Sequence, residues 1–326
     1  MSGAHVFIDR SQFPENVRHD LLASLRARAL NHKFHYDSHK QAAKWLALHE
    51  AFSPARRDPD ALRIYDEAFQ AAAAWAESKP VHLVGLGCGG GQKEARLLEL
   101  LGGKNRVITY TPADVSLPLV LTAWQAAEPF VPTERIHPIV CDLATTEELS
   151  AALDRIDDGA PRLVTLFGII PNFEPAPLLR RVAALLRPDD LFLFSANLAR
   201  GTDYASGVRA VLPQYDNAPT HEWLMTLLLD LGFENGDGAL RFTIETDADQ
   251  LQRIVAHYEL SRPRTVRVYG ETISFQAGER LRVFFSYRHM TQTIRTLLRE
   301  QQLELDGEWL NESREEGVFL ARMKGS

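Results

Sequence analysis

Apolar residues recur at helical spacing through the first third of the chain. After Pro14, the residues Val17, Leu21, Leu22, Leu25 and Leu30 fall on one stripe, and Ala42 to Ala51 and Leu62 to Ala76 repeat the pattern. Between the first two segments lies a polar break, His35-Tyr36-Asp37-Ser38, suited to presenting side chains to a pocket. From Val81 the periodicity changes. Val81 to Leu86 is a short continuous apolar run, followed by a glycine cluster and a helix through Leu97, Leu98 and Leu101. Arg106 to Tyr110, Ile136 to Leu143, Arg162 to Phe167 and Asp190 to Asn197 read as further strands. Helices at Leu117 to Ala127, Glu147 to Ile156 and Ala176 to Leu186 separate them. Short apolar strands that each run into a helix predict a buried parallel sheet, and five such units predict an open doubly wound α/β fold.

After Ala199 the alternation stops. A polar stretch leads to a helix near Glu222 to Leu231. A β pair is expected next, Thr265 to Phe275 against Arg280 to His289, turning at Gln276-Ala277-Gly278-Glu279. The last helix, Met290 to Gln301, and the last strand, Gly317 to Met323, are expected to return to the main sheet.

Composition narrows the function. Of 326 residues, 45% are apolar and 24% charged, ordinary for a soluble globular protein. The formal net charge of -7, with no Lys/Arg stripe interleaved with aromatics, argues against nucleic acid as a partner. No apolar run approaches the roughly 20 residues that span a bilayer, and Met1 to Arg10 lacks the features of a secretion signal. Cys88 and Cys141 are the only cysteines, without CxxC spacing, as expected for a reducing cytoplasm and against a disulfide framework or a cysteine zinc site. The histidines are scattered, so no metal is expected.

Candidate chemistry centres on Gly85-Leu86-Gly87-Cys88-Gly89-Gly90-Gly91, where the first strand meets its helix. Glycines there allow positive φ and close approach of a ligand to backbone, beside the partial positive charge of a helix N-terminus. Dinucleotides and S-adenosylmethionine both use such a turn. The dinucleotide fingerprint fits poorly, because the next acidic strand-end residue, Asp114, comes late. Asp142 then ends the third strand. Carboxylates at two successive strand ends suit a nucleoside better: one for ribose hydroxyls, one for an adenine amino group, with Leu143 covering the base. No P-loop is present. After the fourth strand, the loop through Pro171-Asn172-Phe173 offers Asn172, which can accept from an amine and donate to a carboxylate, or simply cap the next helix.

Together these residues resemble one family, the histidine-specific methyltransferases that trimethylate the α-amine of histidine. The resemblance runs from about Phe34 to the end. Its motifs are Tyr36-Asp37, Gly87 to Lys93, Pro112-Ala113-Asp114-Val115-Ser116, Cys141-Asp142-Leu143, Pro171-Asn172, Tyr215-Asp216 and Phe275-Gln276-Ala277-Gly278-Glu279 leading to Ser286-Tyr287-Arg288. The resemblance implies a class I, Rossmann-like methyltransferase fold with a second mixed α+β domain for substrate. The expected partition assigns 58–198 and 287–326 to the cofactor domain, and 1–57 and 199–286 to the substrate domain. It implies S-adenosylmethionine held by Gly87, Lys93, Asp114, Asp142 and Leu143. Tyr36, Asn172 and Tyr215 would hold the amine and carboxylate of a small amino-acid-like substrate, with Tyr36 and Asn172 orienting the reacting nitrogen. Ser286 would sit by its side chain. Whether the chain is a monomer or a homodimer stays open.

The chain departs from the family pattern in two places. Where the family pairs its serine with a glutamate two residues earlier, this chain has Phe284, which accepts no hydrogen bond from an imidazole; losing such a contact costs about 1–3 kcal/mol. Phe284 favours instead a flat or apolar side chain by stacking, or is a core phenylalanine in a strand of shifted register. Pro171 replaces a glycine, in a loop one residue shorter than the family's. The expected acceptor is therefore the α-amine of histidine or of a related, modified or aromatic amino acid, with a trimethyl betaine as the fullest product. Rival readings are methylation at a ring nitrogen, oxygen or sulfur of another metabolite, and a non-catalytic module that binds the same cofactor.

Overall fold

The computed structural model describes residues 5–52, 57–76, 79–102, 106–156 and 159–325. A two-residue strand β1 (Phe7–Ile8) is followed by helices α1 (Pro14–Arg26), α2 (His39–Phe52) and α3 (Pro59–Ala76). Strand–helix alternation then begins: β2 (Val81–Leu86), α4 (Gln92–Gly102), β3 (Ile108–Asp114), α5 (Leu117–Ala127), β4 (Ile139–Val140), α6 (Leu149–Ile156), β5 (Arg162–Leu166), α7 (Pro175–Leu185) and β6 (Leu191–Asn197). Helices α8 (Tyr204–Val211) and α9 (Ala218–Asp230) lead to β7 (Gly238–Thr246), β8 (Gln252–Leu260), β9 (Arg264–Val268), β10 (Glu271–Phe275) and β11 (Arg280–Arg288). Helix α10 (Thr291–Glu300) and strands β12 (Leu303–Leu310) and β13 (Glu316–Met323) complete the sequence of elements.

The main sheet has eight strands in the order β1-β4-β3-β2-β5-β6-β13-β12. Its first six strands are parallel, and β13 and β12 join antiparallel. Every residue of β2, β3 and β5 is buried, as strands covered by helices on both faces require. Stacked rings of Phe192, Phe194 and Phe319 tie β6 to β13, with centroids 4.7 and 5.2 Å apart. The last helix and strand thus return to the sheet, as their apolar pattern predicts. From β2 the chain moves outward to β3 and β4, then crosses back to β5 on the other side. That reversal opens a crevice at the carboxyl ends of β2 and β5, the usual ligand position in such sheets. Among the described residues, no helix is long and apolar enough to cross a membrane.

The added region differs from its sequence reading. Strand β11 pairs with β8, which pairs with β7, in a three-stranded antiparallel sheet. The expected partner of β11 is instead split into β9 and β10, which pair with each other. The cause is the two-residue turn Tyr269-Gly270, whose φ angles of 50° and 82° suit a tight hairpin. Strand β4 is also shorter than its apolar run, reduced to Ile139–Val140 behind Pro138, which has no N–H to donate to a ladder. The two residues of β1, from the N-terminal segment, cover that edge: Phe7 pairs with Ile139 and Ile8 with Val140.

Helices α1 and α9 and the β9–β10 hairpin pack on the three-stranded sheet through Leu22, Leu25, Trp223, Leu224 and Phe275. At its far end β11 reaches the main sheet, where His289 N donates to Asn197 O at 3.0 Å and Ala199 N donates to His289 O at 2.9 Å. The crevice of the main sheet therefore faces the added region across β11.

Candidate active site

Beyond β2 the chain turns through Gly87, Gly89 and Gly91, with φ of 61°, 52° and 73°. At Gly91 a Cβ would lie 2.6 Å from Ala123 Cα, so glycine is what lets α4 start this close to α5. The turn is held by Asp114 at the end of β3. Its Oδ2 accepts from Gly89 N at 3.0 Å and its Oδ1 from Ser116 N at 3.0 Å. Burial pushes the Asp114 carboxyl up to about 6, against the pull of these amide bonds. Glu94, on the first turn of α4, is pushed up to about 7 by burial as well, although Thr165 Oγ1 donates to it at 3.1 Å.

Asp142 lies just past β4. Its Oδ1 accepts from Ala144 N at 2.9 Å, and its Oδ2 takes a hydrogen bond from Lys33 Nζ at 2.8 Å. Lys33 Nζ also donates to Asp20 Oδ2 at 2.6 Å. Burial pulls this ammonium down, yet the two carboxylates outweigh it and hold Lys33 above the ordinary lysine value. Leu143 follows, buried against the main core. Lys93 Nζ donates to Tyr65 OH at 2.8 Å, and Tyr65 in turn donates to Glu316.

The positions expected on the substrate side come from three places. Tyr36 ends a short 3-10 turn, His32–His35, and its ring sits 5.7 Å from both Trp45 and Trp223. Burial, with the Asp114 charge adding to it, pushes the Tyr36 phenol well above its ordinary value. Asn172 ends a second short turn, where its Nδ2 donates to Phe285 O at 2.8 Å. Tyr215 OH shares a hydrogen bond with Ser286 Oγ at 2.9 Å and accepts another from Arg288 Nη2 at 2.8 Å.

A β-bulge decides which β11 residues meet Tyr215. The register shifts between Arg282 and Phe284, so two residues of β11 oppose one step of β8 at Val283. Beyond the bulge, Phe284, Ser286 and Arg288 share one face, and all three meet Tyr215, Phe284 at a ring separation of 6.1 Å. The bulged carbonyl is itself anchored, because His35 Nε2 donates to Val283 O at 2.8 Å.

One cavity of about 420 Å³ runs between the glycine turn and this second set. Gly87, Lys93, Asp114, Asp142 and Leu143 line it, and so do Tyr36, Asn172 and Tyr215. Phe284 and Ser286 are not on its wall. Phe284 packs into the core of the added region, 5.9 Å from Trp223, and Ser286 stands behind Tyr215. The pocket-facing position expected for Phe284 is therefore taken by Tyr215. Among the wall residues that sequence reading passed over are His32, Trp45, Glu94 and Arg288. Burial lowers His32 to about 4, so its imidazole is neutral near pH 7. His32 precedes Tyr36 by four residues and Glu94 follows Lys93 directly, the signals that could have marked them; Arg288 had none beyond its place in the Ser-Tyr-Arg string.

The sequence model of a family described as "Histidine-specific methyltransferase, SAM-dependent" matches residues 17–323. No curated protein matches the sequence. Similar solved structures include the magnesium protoporphyrin IX methyltransferase of Synechocystis PCC 6803 with bound SAH. It is 12% identical, with 89% of this chain and 97% of that chain covered and a TM-score of 0.49. An O-methyltransferase family protein from Burkholderia thailandensis is 12% identical over 96% of this chain and 70% of that one, with a TM-score of 0.49. The 1,6-didemethyltoxoflavin-N1-methyltransferase of the same organism is 14% identical over 91% and 92%, with a TM-score of 0.42.

Proposed function

Because the chain belongs to the histidine-specific, SAM-dependent methyltransferases, we propose that it methylates the α-amine of an amino acid, histidine or a related, modified or aromatic one, as far as the trimethyl betaine. One observation carries this reading. A glycine turn with two strand-end carboxylates, and a Tyr-Asn-Tyr set suited to an amino acid, line the same cavity.

The wall fits the cofactor. Gly87 and Gly89 bring bare backbone to the cavity, and Asp114 stands at the turn they form. Asp114 is assigned to the ribose hydroxyls, Asp142 to the adenine amino group, Leu143 to the base and Lys93 to the cofactor's carboxylate. The Lys33 contact leaves room for this, since a carboxylate offers about four lone-pair sites. Glu94, Asp114 and Asp142 also suit a ligand that carries a sulfonium and an ammonium. When bound, S-adenosylmethionine supplies an electrophilic methyl group.

The residues of the chain then have two tasks, orienting a nitrogen and keeping it neutral. Asn172 spends its Nδ2 on Phe285 O, which leaves its Oδ1 to accept from an amine N–H. Tyr36 stays protonated near pH 7, so it donates and orients rather than acting as the base. An ammonium has no lone pair and must release its proton to water before attack. A wall of Tyr36, neutral His32 and Phe173 disfavours the charged form by desolvation.

The test is a methyl-transfer assay over the amino acids and their modified relatives, with products identified by mass spectrometry and fragmentation. One to three methyls on the α-nitrogen are expected. Methyl transfer only to a side-chain atom, or to none of these compounds, would overturn the reading.

A further inference from the structure

Arg288 is 6% exposed and lines the cavity. Its polar contacts are Leu198 O at 3.2 Å, Glu315 O at 3.3 Å and Tyr215 OH at 2.8 Å, none of them a carboxylate. Its Nε has no hydrogen-bond partner. The other deeply buried cations among the described residues behave differently: Lys33 meets Asp20 and Asp142, and Arg162, at the far end of β5, meets Asp154. Burying a charge without an opposite charge is costly, and a guanidinium binds a carboxylate through paired N–H groups. A buried, charged side chain at a cavity wall with no counter-ion of its own is best balanced by an anion that arrives with the ligand.

We infer that Arg288 anchors the carboxylate of the methyl acceptor, acting with the Tyr215 hydroxyl, and so restricts acceptors to those carrying a free acid. The inference rests on the reading of this cavity as a methyl-transfer site. Arg288 shares one face of β11 with Ser286 through the Val283 bulge, and Tyr215 OH bridges the two. The Tyr215 hydroxyl thus accepts from the guanidinium, which makes it a stronger donor toward an anion. The cofactor also has a carboxylate, and Lys93 lies on the wall beside the glycine turn to meet it. Arg288 lies by the added region, near Tyr215 and Asn197, on the acceptor's side.

The experiment is calorimetry in the presence of S-adenosylhomocysteine, with histidine and phenylalanine, their carboxamides, and the amine-free acids imidazolepropionate and phenylpropionate. Wild type is expected to bind the acids at least tenfold more tightly than the carboxamides. Arg288→Gln is expected to remove most of that preference while changing carboxamide affinity less than twofold, and Arg288→Lys to keep part of it. Equal loss for acids and carboxamides would make Arg288 a structural brace and overturn the inference. So would a variant whose main defect is weaker S-adenosylhomocysteine binding, since the cofactor would then own the contact. Should Arg288→Gln fail to fold, wild type binding acids and amides alike still overturns it. If no amino acid is methylated but the amine-free acids bind in an Arg288-dependent way, the α-amine reading fails and the carboxylate anchor stands. If none of these acids binds, both fail.

Discussion

Lys33 Nζ, from the short turn before Tyr36, lies 2.8 Å from Asp142 Oδ2, just past β4 of the main sheet. The two side chains are 6% and 5% exposed, so this pair joins the substrate-side segment to the proposed adenine position inside the protein. Removing Lys33 strands the buried Asp142 carboxylate, and removing Asp142 leaves Lys33 with Asp20 alone, whereas removing both strands neither. Lys33→Met and Asp142→Asn are each expected to destabilise the fold, by about 1–3 kcal/mol. The double variant should lose at least about 1 kcal/mol less than the sum. Urea denaturation of the four proteins checks this, and simple additivity would show that the pair is not energetically coupled.

The role proposed for Asp114 predicts a pH dependence of cofactor binding. With its carboxyl pushed up to about 6 by burial, it is ionised above that pH and neutral below it. A carboxylate accepts from ribose hydroxyls better than the acid does. Affinity for S-adenosylhomocysteine is therefore expected to fall by about tenfold as pH drops from 7.5 to 5, a loss of roughly 1.4 kcal/mol. Asp114→Asn should bind weakly and lose the part of the pH dependence centred near 6. Glu94, pushed up to about 7, titrates in the same window, and Glu94→Gln separates its share. A wild-type profile that is flat, with Asp114→Asn unchanged, would remove Asp114 from the cofactor site.

Strong signals in the sequence were those whose physics is local. The parallel strands were legible because Val81–Leu86 and Arg162–Leu166 are continuous buried runs, and the glycine turn because positive φ leaves few other residues. The β9–β10 hairpin was missed because Tyr269-Gly270 is a less familiar turn pair than Asn-Gly, and a longer apolar run hid it. Phe284 could not be placed because a single bulge at Val283 decides which side of β11 each residue faces, and a bulge leaves no mark in a period-two pattern. Arg288 escaped notice for another reason. Its meaning lies in the partners it lacks, and only folding shows that.

Gly91 tests the turn itself. A Cβ there would meet Ala123 Cα at 2.6 Å, a backbone atom that cannot swing aside, and φ is 73°. Gly91→Ala is expected to cost about 2–4 kcal/mol from the left-handed backbone and the clash together. Thermal unfolding should show the loss, and S-adenosylhomocysteine affinity should fall with it as α4 is displaced from α5. An alanine variant of native stability would mean that the turn relaxes freely.

Phe284 bears on acceptor choice only through what it supports. It packs against Trp223 and Tyr215 rather than facing the cavity. Phe284→Leu is expected to lower stability by about 1 kcal/mol and to leave the ranking of acceptors within twofold. Phe284→Glu buries a carboxylate in an apolar core and should destabilise by more than about 3 kcal/mol. Kinetic comparison of histidine with aromatic acceptors decides the matter: a Leu variant that reorders them would place Phe284 in contact with substrate.

Acid stability should report on His35. Its imidazole is buried with Nε2 donating to Val283 O, and burial lowers it to about 4 from an ordinary 6.5. The folded protein therefore keeps His35 neutral at pH values where the unfolded chain takes up a proton. Its contribution is fully present above 6.5 and is lost as pH falls through about 4. The whole effect is about 3 kcal/mol at most. His35→Gln keeps a donor for the bulged carbonyl but has no proton to gain. The variant is expected to be less stable than wild type at pH 7.5, with the gap narrowing steadily toward pH 4. His289 is lowered by burial and by Arg288 and remains in both proteins, whereas His32 is held low by burial and then by His35, so the narrowing reports on His35 together with its effect on His32. Denaturation curves across that range are the measurement. A gap that stays constant with pH would mean that His35 titrates as it does in the unfolded chain, and that its bond to Val283 is not held in a buried, neutral form.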